Sequence, residues 1–268
     1  MFSSPSSHIV IRNVSKVYTT QGRDMTALQG IDLNIPRGQF TCLLGPSGCG
    51  KSTLLNAVAG FAAPSAGTIH ADGKLVAGPG PERGMVFQEY ALFPWMTVAQ
   101  NIAFGLDVKG IDRGTIRRRV GELLEMLSLT DFKQRFPRDL SGGMRQRVAI
   151  ARVLALDSPI MLMDEPFGAL DALTRRNLQD ELLRLWARLG KTIIFVTHSI
   201  EEAIYLADRI VVMTYRPGTI KRDLIVDLAR PRDPAAPEFN LLKRELGLLV
   251  MEEQQRHHND ELRAGACD

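Results

Sequence analysis

No run of the sequence approaches the roughly 20 apolar residues that a membrane-spanning helix needs, so any work at a membrane must pass through a partner. Cysteine is scarce. Cys42, Cys49 and Cys267 are an odd number without metal-ligand spacing, which argues against a disulfide framework and suits a reducing cytosol. Neither sign of charge is in excess: Lys+Arg 33 against Asp+Glu 30 leaves a net +3, too small a bias to argue for nucleic acid as a partner. The first residues, Met1-Phe2-Ser3-Ser4-Pro5-Ser6-Ser7, lack a basic start and a long apolar core, so a signal peptide is not expected. Internal repeats and low-complexity tracts are lacking too. What is present is ordinary for a folded protein: 268 residues, 45% hydrophobic and 24% charged, enough for one large domain or two small ones.

Apolar and polar residues alternate over His8–Tyr18 and again over Leu28–Ile35, where Ile31, Leu33 and Ile35 share a face, predicting strands. Phe40–Leu44 is a short apolar strand, Lys51–Gly60 a helix, and Thr68–His70 and Gly84–Phe87 are further strands. From Gln88 to Leu140 the period turns helical, with Ile116, Val120, Leu123, Leu124 and Leu127 on one face and Arg117, Arg118 and Arg119 on a solvated one. Helices at about 141–156, Leu170–Leu189 and Ile200–Ala207 then alternate with strands at Ile160–Met163, Thr192–Val196 and Arg209–Met213. That alternation predicts an α/β fold with a parallel sheet covered on both faces. Pro231–Pro237 reads as a linker to a last amphipathic helix with Phe239, Leu242, Leu246 and Leu249 on one side, and His257-His258 within it as polar surface.

Gly45-Pro46-Ser47-Gly48-Cys49-Gly50-Lys51-Ser52 fits G-x-x-x-x-G-K-[ST] without a gap. With glycine near 7% of residues, two at this spacing arise by chance about once per 200 positions, before Lys and Ser are required. The motif also lies between a predicted strand and a predicted helix, as phosphate binding demands. Glycines let backbone N–H groups turn inward onto phosphates, Lys51 adds a fixed positive charge, Ser52 offers a hydroxyl to magnesium, and the helix start faces the anion. The nucleotide-contacting set is Gly45 to Ser52 with Thr53. Cys49 sits at a variable position of the loop, and no His or other base is placed by the sequence to make it a nucleophile. Downstream, Ile160-Met161-Leu162-Met163-Asp164-Glu165-Pro166 is a buried strand ending in two acids, where open sheets bind ligands. Asp164 suits magnesium through its water shell, and Glu165 suits the attacking water.

Leu140-Ser141-Gly142-Gly143-Met144-Arg145-Gln146-Arg147 completes a set: phosphate loop, L-S-G-G, then D-E-P. In that order the motifs resemble the ATPase subunits of ATP-binding-cassette transporters, over about His8 to Pro231. Met144 stands where the family usually has Gln. The resemblance implies a P-loop NTPase cassette with a mainly parallel sheet core, an N-terminal antiparallel β subdomain and a helical subdomain inserted at about 89–158. Residues 232–268 would be a C-terminal linker and helix. It further implies ATP and Mg2+ as ligands. Tyr18 matches the residue that stacks on adenine, although a tyrosine on a strand face is a serious rival reading. Gln88 matches the glutamine that senses magnesium and the γ-phosphate, Asp171 the aspartate linking two subunits, and His198 the histidine at the γ-phosphate.

Ser141 is a natural N-cap, and Gly142 and Gly143 leave N–H groups bare at a helix start, an anion site with no phosphate loop beside it in sequence. The family arrangement supplies the missing loop from a second copy, head to tail. Leu92–Ile102, and Arg216-Pro217-Gly218 through Ala229–Asp233, look like importers for nitrate, sulfonates and taurine. The expected partners are therefore a second copy, integral membrane permease subunits near Gln88–Trp95, and indirectly an extracytoplasmic solute-binding protein; the expected place is the cytoplasmic face of the membrane. Phe93, Pro94 and Trp95 either form that docking groove or pack the helical subdomain. Two other readings compete. A soluble cassette ATPase of DNA repair or translation would usually carry two cassettes or a long coiled-coil insertion, and a kinase sharing the loop has no use for L-S-G-G.

Overall fold

The computed structural model describes residues 7–20 and 22–265, so residues 1–6 of the signal-peptide reading, Cys267, and the end of the C-terminal segment lie outside it. Along the chain come β1 (Ser7–Thr20), β2 (Arg23–Pro36), β3 (Phe40–Leu44), α1 (Lys51–Ala59), β4 (Ala66–Ala71) and β5 (Lys74–Leu75). There follow β6 (Arg83–Val86), α2 (Val98–Val108), α3 (Arg113–Met126), α4 (Gly142–Ala155), β7 (Ile160–Asp164) and α5 (Ala172–Leu189). The remainder is β8 (Thr192–Thr197), α6 (Ile200–Leu206), β9 (Arg209–Met213), β10 (Ile220–Ile225) and α7 (Pro237–Gly265). Two compact units divide these elements, residues up to 79 with those from 192 onward, and residues 80–191.

The first unit holds two sheets. In one, β2, β1, β4 and β5 lie side by side and antiparallel, with Ile9 opposite Ile35 and Ile11 opposite Leu33. Ile31, Leu33 and Ile35 are buried while Asp32 and Asn34 are exposed, the alternation expected of a sheet with one dry face. In the other, β3 runs parallel to both β8 and β9, and β10 closes the edge antiparallel to β9. Every residue of β3 and β8 is buried, so their continuous apolar runs mark central strands. The sequence pattern missed β10 because Lys221, Arg222 and Asp223 give it no apolar face; it is an edge strand defined by backbone pairing. Of the apolar face predicted for α7, Phe239 and Leu246 are buried and Leu242 and Leu249 half-buried, while Val250 and Glu253 also turn inward, Glu253 at 0% exposure. His258 is exposed, but His257 is half-buried with its ring 4.3 Å from that of Tyr215, so only one of the pair is simple polar surface.

The second unit pairs β6 and β7 in parallel, Arg83 opposite Ile160 through Val86 opposite Met163. Helix α4 packs on β6 and against α2, α3 and α5. The helical stretch predicted over 88–140 resolves into α2 and α3 with two single 3-10 turns, preceded by a loop from 88 to 97. Asp112 caps α3 by accepting from the Thr115 amide at 2.9 Å, and hydrogen bonds from Thr115 hold its carboxyl below the usual carboxylate range. A depressed carboxyl stabilises the fold above its unfolded pKa, and that contribution fades as pH falls through the folded value. Asp112→Asn keeps the cap without the titration. Between about pH 5 and pH 3 its melting temperature should therefore fall less than that of the parent, read by thermal melts at each pH.

Candidate functional site

In the first unit β3 delivers the chain to the phosphate loop and α1 leaves it. Gly50 is the N-cap of α1 at φ 93°, with no side chain capping the helix, so the first-turn N–H groups face the loop. Only glycine fits there: a Cβ on Gly50 would lie 2.7 Å from Leu28 Cδ2 and 2.8 Å from the Ala27 carbonyl. Lys51 opens the helix at 4% exposure, and its Nζ donates to the carbonyls of Gly45 and Pro46 at 2.8 Å each. The ammonium is thus held across the loop mouth by its own backbone, where a phosphate oxygen can replace a carbonyl. Ser52 and Thr53 follow it, half-buried. Cys49 is 1% exposed, and burial pushes its thiol up, only partly offset by Lys51. A buried, protonated thiol is a poor nucleophile, which removes it from the chemistry.

His198 is exposed directly after β8, and Ser199 next to it caps α6 by accepting from the Glu202 amide at 3.3 Å. Tyr18 is 37% exposed on β1, with the Lys16 ammonium over its ring 5.1 Å from the centre. Sequence reasoning missed the turn between β9 and β10. Gly218 donates to the Ala27 carbonyl and accepts from the Gln29 amide, both at 3.0 Å, and a Cβ on it would lie 2.3 Å from the Cys49 carbonyl. A Cβ on Gly48 would meet Arg216 Nη2 at 3.6 Å and Tyr215 Cε2 at 3.7 Å. The Pro217-Gly218 dipeptide was the available signal for a turn; what it packs against was not in the sequence.

In the second unit the parallel pairing of β6 with β7 puts their carboxyl ends side by side, so Gln88, two residues beyond β6, and Asp164 and Glu165, at the end of β7, belong to one edge. Gln88 is exposed and the two acids are half-buried. Glu165 has φ 41°, a left-handed conformation uncommon outside glycine, and such outliers gather where function fixes the backbone. The L-S-G-G segment caps α4: Ser141 accepts from the Met144 amide at 3.3 Å, ahead of Gly142 and Gly143. A Cβ on Gly143 would lie 2.6 Å from Thr174 Cγ2, so α4 approaches α5 too closely for a side chain. Asp171 caps α5 by accepting from the Thr174 amide at 3.0 Å, and hydrogen bonds from Thr174 hold its carboxyl below the usual range.

The loop after Gln88 is tied down from below. Buried Asn101 accepts from the Phe93 amide at 2.9 Å and donates to the Phe93, Met96 and Thr97 carbonyls. Arg152 of α4 donates to the carbonyls of Ala91 at 2.6 Å and Tyr90 at 3.3 Å, and its guanidinium lies over the Phe93 ring. Phe93 packs on Phe104 with ring centres 4.6 Å apart, whereas Trp95, 5.6 Å from Phe93, is 69% exposed. The aromatic trio therefore splits: Phe93 anchors, and Trp95 faces outward.

Residues 28–168 match the family model described as ABC transporter. A nitrate import ATP-binding protein of Synechocystis sp. is 46% identical over 236 residues, covering 88% of each chain. A taurine import ATP-binding protein of Roseobacter denitrificans is 46% identical over 254 residues, covering 91% of this chain and 95% of its own. Among solved structures, a dimeric ATP-binding cassette in a post-hydrolysis state with ADP and Pi is 33% identical with a TM-score of 0.73, covering 82% of this chain and all of its own.

Proposed function

Since the chain belongs to the ABC transporter family and is an ATPase of it, we propose that it drives an importer: two copies close head to tail on ATP, and hydrolysis in the pair powers uptake through membrane permease subunits. Each copy's Ser141, Gly142 and Gly143 complete the other's nucleotide site. The dimeric cassette of the same fold and the α4 helix start at Ser141, followed by two glycines, support that arrangement. The solute is a small anionic compound of the nitrate, sulfonate or taurine kind, passed on by an extracytoplasmic binding protein. The named relatives support this class. No helix among the described residues is long and apolar enough to cross a membrane, which fits a subunit held at the cytoplasmic face by its permease.

The chemistry is assigned residue by residue. The loop from Gly45 to Thr53 cradles the phosphates, with Lys51 on their outer oxygens, Tyr18 on the adenine and His198 at the γ-phosphate. Ser52, Gln88 and Asp164 offer the oxygen donors that magnesium prefers, and a bound magnesium would offset charge on the β- and γ-phosphates. Glu165 orients a water and takes up its proton as the water oxygen attacks the γ-phosphorus, the bond to the β-phosphate oxygen breaks, and ADP and phosphate leave.

The observation that carries the coupling is Trp95, an exposed indole on a rigidly held loop that begins at Gln88. Aromatic anchors of this kind dominate protein interfaces. Trp95→Ala should leave ATP hydrolysis by the isolated subunit within about twofold and weaken its co-purification with the permease at least about tenfold, as losing a hot spot of about 2 kcal/mol or more would. Unchanged permease binding together with a lower melting temperature would assign the tryptophan to packing instead.

A further inference from the structure

The C-terminal helix reaches the turn beside the phosphate loop through a buried carboxylate and a ring contact. Glu253 of α7 is 0% exposed, and its Oε2 accepts from the Tyr215 backbone amide at 2.9 Å. Its Oε1 accepts from Lys221 Nζ at 2.7 Å, and Arg256 approaches it at 3.3 Å. One turn on, His257 packs its ring against Tyr215. Tyr215 in turn lies beside Gly48, and the turn that it opens is closed by Thr214, whose hydroxyl donates to the Pro217 carbonyl and accepts from the Thr219 amide, both at 2.8 Å. That turn ends in Gly218, whose backbone is wedged between Ala27 and the carbonyl of Cys49 in the phosphate loop.

A buried carboxylate is costly, and its retention here has one structural consequence: it fixes where the β9–β10 turn sits. The turn abuts the loop at Cys49 and runs beside it at Gly48, and the loop's backbone N–H groups must be set to a few tenths of an ångström to receive phosphates. We propose that Glu253 is a positioning residue for the nucleotide, holding Tyr215 and its turn against the phosphate loop, so that the C-terminal helix sets nucleotide affinity. The proposal rests on the phosphate loop being the nucleotide site. It makes α7 a control element, because anything that lifts the helix loosens the loop, and by reciprocity nucleotide binding must tighten the helix.

The test uses the full chain. Glu253→Leu keeps the bulk but removes the acceptor, and Glu253→Gln keeps an oxygen that can still accept from Tyr215. Binding of a fluorescent ADP analogue should weaken about tenfold in Glu253→Leu, the scale of one charged hydrogen bond, with KM for ATP raised likewise and kcat within about twofold. Glu253→Gln, whose oxygen can still accept from Tyr215 but whose amide nitrogen would then face the Lys221 ammonium, should fall between the parent and Glu253→Leu. Parental affinity in a folded Glu253→Leu protein overturns the proposal, and so does a Glu253→Gln variant as weak as Glu253→Leu. If Glu253→Leu does not fold, hydrogen–deuterium exchange on the unaltered protein decides. ADP should slow exchange both in residues 45–53 and in residues 249–257. Protection confined to 45–53 overturns the proposal, whereas no protection of 45–53 would count against the nucleotide site itself.

Discussion

Lys51→Ala should bind ATP at least about 10²-fold more weakly and hydrolyse it at a correspondingly reduced rate, because a charged donor aimed at several anionic oxygens is lost from a protected site. The fold should survive at a cost. Lys51 Nζ donates to two loop carbonyls at 2.8 Å from a position 4% exposed, so its removal leaves those carbonyls without a donor. A penalty of about 1–3 kcal/mol is expected for buried groups left unpaired. Titration calorimetry with ATP and a melting curve without it separate the two effects. A folded Lys51→Ala protein with normal ATPase activity would end the assignment of the loop.

Glu165→Gln should lower the hydrolysis rate by about 10²–10⁴, the usual cost of losing a positioned base. The substitution keeps the volume and a hydrogen-bonding oxygen, and the left-handed backbone at φ 41° is no harder for glutamine than for glutamate. ATP binding should be intact, since Lys51, Ser52 and Asp164 are untouched. Removing one negative charge near the triphosphate should even tighten it slightly. Single-turnover hydrolysis measured beside ATP affinity distinguishes this from a binding defect; a parental hydrolysis rate would move the base elsewhere, with His198 next.

Parts of the structure differed in how far they could be read from sequence. The phosphate loop was legible because its requirements are local: Gly50 must take φ 93° and Lys51 must open a helix, and both are written into eight consecutive residues. Strands β3 and β8 were equally legible, since burial on both faces demands unbroken apolar runs. The alternating face of β2 marked the antiparallel sheet in the same way. The turn at 215–218 was not legible, because its role depends on Gly218 meeting Cys49, residues far apart in the chain. Glu253 was hidden for a related reason: a charged residue breaks the helical apolar period, and only the fold reveals that its partners are Lys221 and the Tyr215 amide. Trp95 was ambiguous because composition alone does not separate a core aromatic from an exposed anchor, whereas its 69% exposure does.

The two-copy nucleotide site is the claim on which the transport reading depends, and the size of Glu165→Gln in solution tests it. With hydrolysis blocked, ATP should stay trapped between the phosphate loop of one copy and Ser141–Gly143 of the other. Light scattering should then give the mass of one 29.7 kDa chain without ATP and twice that mass with saturating ATP and magnesium. A second substitution, Ser141→Glu, bringing a carboxylate to the helix start where the partner's phosphate would sit, should return the ATP-bound protein to single-chain mass and, because pairing and nucleotide binding are linked, lower its apparent ATP affinity. A folded Glu165→Gln protein that binds ATP yet keeps single-chain mass at saturation would contradict a site shared between two copies.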